Sequence, residues 1–115
     1  MSFEALIYGE PASKANSRKM VLIGGKPRFI KSKKAREYVE GFQKQCPKLT
    51  ELLEGDVRVT MTIWYATRRP DLDESVILDA LEGYAYTNDR QVKEKHIYHA
   101  LDKENPRAHI KVESL

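Results

Sequence analysis

The chain has 115 residues, of which 41% are hydrophobic and 32% charged, and its formal net charge is +3. This length predicts one domain over residues 1–115 with a modest core, and this composition excludes a disordered chain. The single cysteine, Cys46, excludes an internal disulfide and a cysteine-based zinc site. The sequence has neither a stretch of about 20 apolar residues nor a signal-peptide pattern, so we expect a cytoplasmic protein with no membrane association.

The hydrophobic pattern predicts six strands and two helices in the order β-ββ-α-β-α-β-β. The strands are predicted over residues 3–8, 20–23, 28–30, 57–65, 95–101 and 108–112, and the helices over residues 33–46 and 72–82, with one further helical turn over 49–53. Gly24 and Gly25 supply the turn of a hairpin, and Ser32 is a good N-cap for the first helix. The strict alternation over residues 57–65 is the clearest strand signal in the chain.

This order of elements predicts the fold class. Strands and helices that alternate only in part are typical of an α/β (α+β) domain, in which two main helices pack on one mixed β-sheet. We find no internal repeat and no linker, which agrees with a single small domain.

A basic segment runs from Ser13 to Arg36. It contains nine basic residues and no acidic residue: Lys14, Arg18, Lys19, Lys26, Arg28, Lys31, Lys33, Lys34 and Arg36. Basic surface binds nucleic-acid backbones by displacing their counterions. A solvated surface is the alternative, and the imbalance of charge favours a nucleic-acid surface.

The acidic residues concentrate elsewhere, between residues 71 and 89. Asp71 and Asp73 lie where the clearest strand meets the second helix, and Asp89 lies after that helix. If the loop at 83–88 folds back, these carboxylates converge on one ion. A site of a few carboxylates that leaves coordination positions on the ion open suits Mg²⁺ or Mn²⁺, which also bind phosphate oxygens. A basic surface beside such an ion predicts phosphodiester chemistry.

A structural role for the same acids stays open. Asp71 would serve as an N-cap with Glu74 completing a capping box, Asp73 would favour the positive helix end, and Asp89 would be an ordinary turn residue.

Other catalytic chemistries find little support in the sequence. His96 and His99 differ by an odd number and face opposite sides of a strand, which disfavours a zinc site. Cys46 lies on the apolar side of the first helix and is expected in the core. Neither a phosphate-binding loop nor a dinucleotide fingerprint is present, so no nucleotide cofactor is expected. Of Trp64 and Tyr65, one is expected in the core, and the other is a candidate for stacking on an unpaired base.

Three segments of the second half resemble motifs of the RusA-type Holliday junction resolvases. They are Asp71-Leu72-Asp73-Glu74, Leu78-Asp79-Ala80-Leu81-Glu82-Gly83 and Asn88-Asp89-Arg90-Gln91-Val92. Residues 8–14, 33–38 and 105–112 also resemble this family's first strand with its basic loop, the start of its first helix and its last strand. The resemblance therefore covers nearly the whole chain, in order.

The resemblance implies a homodimeric, Mg²⁺-dependent endonuclease (Mn²⁺ being an alternative metal) that nicks paired strands of branched DNA in recombination and repair. It makes Asp71, Asp73 and Asp89 the catalytic, metal-binding acids, with Glu74 as a further metal ligand. The DNA-binding residues that we expect are Lys14, Arg18, Lys33, Lys34, Arg36 and Arg69. It also implies a bacterial or phage origin.

The chain departs from the family pattern in the second helix. The family has about two more residues before its Asp-Ala-Leu and a catalytic lysine near them, whereas residues 74–77 contain no lysine. The candidates for a replacement cation are Arg68, Arg69, Arg90, Lys93 and Lys14.

Three rival functions remain at the level of sequence. A non-catalytic basic DNA-binding protein would use the acids only as caps, and a metal-dependent RNA nuclease would share the metal site. A protein-interaction module is the third, and it leaves the basic segment unexplained.

Overall fold

A computed structural model describes residues 2–11, 13, 16–67 and 73–115. The strands are β1 (Ser2–Tyr8), β2 (Arg18–Ile23), β3 (Lys26–Lys31), β4 (Val57–Tyr65), β5 (Val92–Leu101) and β6 (Arg107–Ser114), and the helices are α1 (Lys33–Gln45) and α2 (Glu74–Ala80). A 3-10 turn over Asp89–Gln91 precedes β5. The predicted order of elements is therefore confirmed. Neither described helix is long and apolar enough to cross a bilayer.

Four strands form one mixed sheet in the order β1-β6-β4-β5. β6 pairs antiparallel with both β1 and β4, whereas β4 and β5 run parallel. Parallel neighbours need a crossover connection, and this one contains α2 and the 3-10 turn. The mixed sheet that the sequence predicts is present.

The core lies between one face of this sheet and the two helices. Every second residue of β4 is buried, from Val57 to Tyr65, as the alternation predicts. Phe42 of α1 and Ile77 of α2 pack against this face in the same apolar cluster. The other buried sheet residues are Phe3, Ala5, Ile7, Ala108, Ile110 and Val112. Tyr65 is thus the core member of the Trp64–Tyr65 pair.

Two local predictions are wrong. Residues 49–53 form no helical turn, because the Leu49 and Leu53 amides donate to the carbonyls of Tyr84 and Ala85 at 2.9 and 2.8 Å. α2 ends at Ala80, before the predicted residue 82. Its predicted start at Leu72 lies outside the described residues.

The hairpin of β2 and β3 forms a sheet of its own. Gly24 and Gly25 adopt φ angles of 59° and 77°, which glycine accepts at low cost, and they close the turn between the strands. Apart from Val21 and Lys31, all residues of the two strands are exposed. The hairpin therefore extends into solvent from the body of the domain.

Candidate functional site

Three carboxylates come together at the end of α2. Asp79, Glu82 and Asp89 each offer one oxygen, and these oxygens lie within 4.8 Å of one another. Asp79 and Glu82 are three residues apart, a spacing that places side chains on one side of a helical turn. Asp89 begins the 3-10 turn on the returning chain. We call Asp79, Glu82 and Asp89 the acid group.

The returning loop is held against the body of the domain by Tyr86. The Tyr86 ring is fully buried, and its hydroxyl donates to the Leu78 carbonyl at 2.7 Å. The Gly83 amide donates to the Tyr86 carbonyl at 2.7 Å, with Gly83 at a φ of 81°. These contacts fold the chain back beside α2, as predicted from the length of the loop, and they bring Asp89 to the end of the helix that carries Asp79 and Glu82.

The side chains of Asn88 and Gln91 hold the turn that carries Asp89. The Gln91 side chain accepts from the Asn88 amide at 3.1 Å and donates to the Leu53 and Gly55 carbonyls, both at 2.8 Å. Asn88 caps the 3-10 turn and forms a capping box with Gln91. Gln91 thus fixes the turn that presents Asp89.

The charge of the acid group is partly offset by a lysine from the hairpin. The Lys31 Nζ lies 3.2 Å from the Asp79 Oδ2. Burial raises the pKa of Glu82, and the carboxylate of Asp89 raises it further. Carboxylates that repel one another in this way gain from a bound cation. Their oxygen donors are the type that Mg²⁺ and Mn²⁺ prefer.

Asp73 lies at the opposite end of α2. It is buried and caps the helix, and its carboxylate accepts from the Ser75 amide at 3.0 Å and from the Ser75 and Ser17 hydroxyls at 2.5 Å. Burial acts to raise the pKa of Asp73, but these hydrogen bonds outweigh it and hold the pKa below its usual range. Seven helical residues separate this end from Leu81, a distance of about 10 Å.

The structure therefore joins Asp89 to Asp79 and Glu82, and it does not bring Asp73 into that group. Glu74 follows Asp73 as the first helical residue, half-buried and outside the acid group. Asp71 lies outside the described residues. The N-cap of α2 is Asp73, so the predicted cap at Asp71 is wrong.

Sequence reasoning missed Asp79, Glu82 and Lys31 as members of a site. The first two carried a signal, because acids three residues apart near a helix end share a side of that helix. Lys31 carried none, since it reaches Asp79 from a hairpin 48 positions away. None of the candidates for the replacement cation included it.

Apart from the half-buried Lys31, the described basic residues of the segment from Ser13 to Arg36 are exposed. Arg18 lies at the start of the hairpin, and Lys33, Lys34 and Arg36 lie in the first turn of α1. Lys33 makes one ion pair with Glu37, at 3.8 Å between strongly exposed side chains, which leaves its charge available to solvent. Lys14 and Arg69 lie outside the described residues.

Three further side chains considered from the sequence are Cys46, His99 and Trp64, and each is either buried or packed against another residue of the chain. Burial raises the pKa of the Cys46 thiol to about 11, so it is protonated at neutral pH and a poor nucleophile. The His99 ring packs edge-on against Tyr65 at 5.0 Å between centroids. The Trp64 ring lies beneath the Arg107 guanidinium at 4.2 Å.

Comparison with known families decides the class of this protein. The family model described as endodeoxyribonuclease RusA matches residues 9–113. The chain belongs to the RusA endodeoxyribonuclease family. The resemblance read from the sequence is confirmed, and a RusA-family chain is a nuclease that acts on DNA. None of the curated proteins matches this chain.

Proposed function

We propose that this RusA-family chain is a divalent-metal-dependent endonuclease that resolves four-way DNA junctions by paired nicking during recombination and repair. The observation that supports this most directly is the acid group, held at the end of α2 in a chain whose family cuts DNA. The basic hairpin and the start of α1 add a surface suited to DNA strands.

Asp89 is common to the predicted metal-binding acids and to the acid group. We infer that Asp89 binds Mg²⁺ or Mn²⁺ together with Asp79 and Glu82. Asp71, Asp73 and Glu74 form the alternative set at the other end of α2. A bound divalent ion would offset the negative charge of the phosphate and acidify a water molecule. Lys31 would limit the repulsion within the acid group until the ion binds.

The chain's basic residues have the second role, to hold the substrate. Arg18, Lys33, Lys34 and Arg36, with Lys14 and Arg69, would bind backbone phosphates and keep a strand beside the acids. Such contacts carry no base specificity, which suits an enzyme that recognises the shape of a junction. Their loss would weaken binding and reduce its dependence on salt.

We further propose that the active form is a homodimer. A four-way junction presents two equivalent strands, and a two-fold pair of chains matches that symmetry. Each chain would then cut one strand.

The test is cleavage of a synthetic four-way junction, with linear duplex as the control substrate, in Mg²⁺ and in EDTA. We expect paired nicks on the junction only, and only with metal. Asp89→Asn should lower the cleavage rate at least a hundredfold, because active-site charges contribute several kcal/mol to phosphoryl-transfer barriers. Asp73→Asn should lower it by as much only if the alternative set at the other end of α2 holds the metal. Junction binding should be retained.

Asp56→Asn is the matched control, since Asp56 is exposed and lies outside the acid group. It should cut at the normal rate. Tight junction binding without cutting under every divalent metal would support the rival binding protein, and preferential cutting of RNA would support the RNA nuclease. Cleavage at a normal rate by Asp89→Asn would overturn the assignment of that residue.

A further inference from the structure

The hairpin of β2 and β3 carries apolar side chains that the domain leaves in water. Met20, Leu22 and Phe29 are 58%, 71% and 73% exposed. A two-stranded hairpin is marginally stable in water unless a further surface packs on it. Large exposed apolar patches on soluble proteins mark interaction sites. The hairpin thus has the composition of a surface that is covered in the working protein.

The register of the hairpin separates its two faces. Met20 pairs with Phe29 and Leu22 pairs with Pro27, and cross-strand partners lie on the same face. These four residues therefore form one continuous apolar face, which we call the apolar face of the hairpin. The opposite face carries three of the hairpin's basic residues among its aliphatic residues: Lys19, Lys26 and Arg28.

Three of the hairpin's basic residues lie on the face opposite its apolar face, and this separation indicates which kind of partner the apolar face binds. A nucleic acid would be drawn to the face that carries Lys19, Lys26 and Arg28, because phosphates dominate its surface. The apolar face has no charge beyond its root, where Arg18 and Lys31 pair across the strands. An uncharged apolar surface therefore fits it, and a second copy of this chain presents one. When two such faces meet, the basic faces of both hairpins point away from each other.

The available area agrees with a dimer contact. If a fully exposed residue of this size offers about 200 Å², then Met20, Leu22 and Phe29 together expose about 400 Å² per chain. Two copies face to face, with Pro27 and the strand edges, would bury close to the roughly 1,000 Å² that a specific interface needs. A single residue or a peptide side chain would leave most of this face in water.

The root of the hairpin is also joined to the acidic residues of α2. Lys31 lies 3.2 Å from Asp79, and the buried Ser17, directly before β2, donates to Asp73. A contact that fixes the hairpin therefore also fixes the basic root beside the acids.

We propose that the apolar face of the hairpin is the surface on which a second copy of this chain docks, in a two-fold arrangement. This inference rests on the proposed function, since it supplies the surface for the homodimer inferred there. Docking holds each hairpin root in place and so sets the spacing of the two acid groups.

The test is the mass of the full chain in solution, measured by sedimentation equilibrium without DNA. The wild-type chain should sediment at twice its mass of 13.3 kDa. The double variant Met20→Thr/Phe29→Thr should sediment as a monomer, with its dissociation constant raised at least a hundredfold. Threonine keeps the strand propensity of both positions, and neither side chain is in the core. Far-UV circular dichroism should therefore be unchanged.

The control variant is Ile23→Thr/Ile30→Thr, which removes apolar residues that are 58% and 36% exposed on the opposite face. It should remain a dimer. A monomeric wild-type chain, or a Met20→Thr/Phe29→Thr variant that stays dimeric, would overturn the proposal. The proposal would also be overturned if Met20→Thr/Phe29→Thr stays at the mass of a dimer but loses junction binding, because the apolar face of the hairpin would then contact DNA.

Junction cleavage separates this proposal from the proposed function. If the wild-type chain is a dimer that the Met20→Thr/Phe29→Thr substitutions dissociate, the docking surface is supported. If that wild-type dimer cuts no junction, the resolvase activity is refuted. A monomeric wild-type chain that makes paired nicks would do the reverse.

Discussion

Among the acids that the structure describes, Glu82 is the one whose pKa is raised by its surroundings. Its pKa is raised by burial and then by Asp89. The ionised form is therefore less favourable in the folded chain than in the unfolded chain, so its ionisation lowers the free energy of unfolding at neutral pH. Residues that weaken the fold in this way are found at functional sites more often than elsewhere.

We expect Glu82→Gln to raise the thermal unfolding midpoint in EDTA at pH 7, while the affinity for Mn²⁺ falls roughly tenfold or more. Scanning calorimetry and titration calorimetry measure the two effects. Glu51→Gln, a change at an exposed acid outside the acid group, should alter neither. A variant with lower stability and unchanged Mn²⁺ affinity would show that the acid group is not the metal-binding set.

At the scale of elements, the side chain of Gln91 ties the 3-10 turn to residues 53–55. Gln91 uses its carbonyl oxygen for amides of the loop and its amide nitrogen for the carbonyls of Leu53 and Gly55. Glutamate at this position would keep the acceptor and lose both donors. Unsatisfied buried or half-buried carbonyls cost about 1–3 kcal/mol.

We therefore expect Gln91→Glu to lower the free energy of unfolding by about 1–3 kcal/mol and to weaken Mn²⁺ binding, because Asp89 loses its support. Gln45→Glu is the matched control, since Gln45 makes the same kind of contacts to Tyr8 and Gly41. It should lower stability, measured by urea unfolding, without changing Mn²⁺ affinity. Equal effects of both variants on Mn²⁺ binding would contradict a positioning role for Gln91.

A helix or strand could be predicted from the sequence where the pattern of its own residues determines it. The alternation of β4 and the Ser32 cap of α1 are local signals, and both are present as expected. The segment at 49–53 is predicted to be helical because its leucines recur at helical spacing. Its amides instead pair with Tyr84 and Ala85, a contact between distant segments that no local pattern contains.

The same limit applies to the site. Asp89 was predicted from its motif, and the turn that folds it back was predicted from the length of the loop. Its actual neighbours in the described chain depend on the packing of Tyr86, which sets how the loop returns. The contribution of Lys31 depends on where the hairpin meets α2, and that is a property of the tertiary structure alone.

At the scale of the whole molecule, the ion pairs and caps predict the response to acid. The pKa of Asp73 is held low by hydrogen bonds that outweigh burial, and those of Glu94 and Asp102 are lowered by Arg58 and Arg107. These carboxylates bind protons more weakly in the folded chain. Their stabilising effect is complete above the unfolded pKa of about 4 and is lost as pH falls through the folded values.

The urea midpoint should therefore fall as the pH is lowered below about 4. Asp73→Asn should flatten this decline, because the buried member of the set no longer titrates, and asparagine preserves the N-cap. Asp56→Asn should leave the profile unchanged. An equally steep decline in Asp73→Asn would show that the acid sensitivity arises from the exposed pairs.

The parallel pairing of β4 and β5 has a consequence for how such a protein can diversify. Asp73, Asp79, Glu82 and Asp89 all lie on the single connection between these two strands. That connection can lengthen or shorten without changing the register of any strand, since β4 also pairs with β6 on its other side. The spacing of the acids can therefore drift among relatives while the scaffold stays constant. A graft of residues 66–91 between two such chains would exchange their acidic chemistry as one unit.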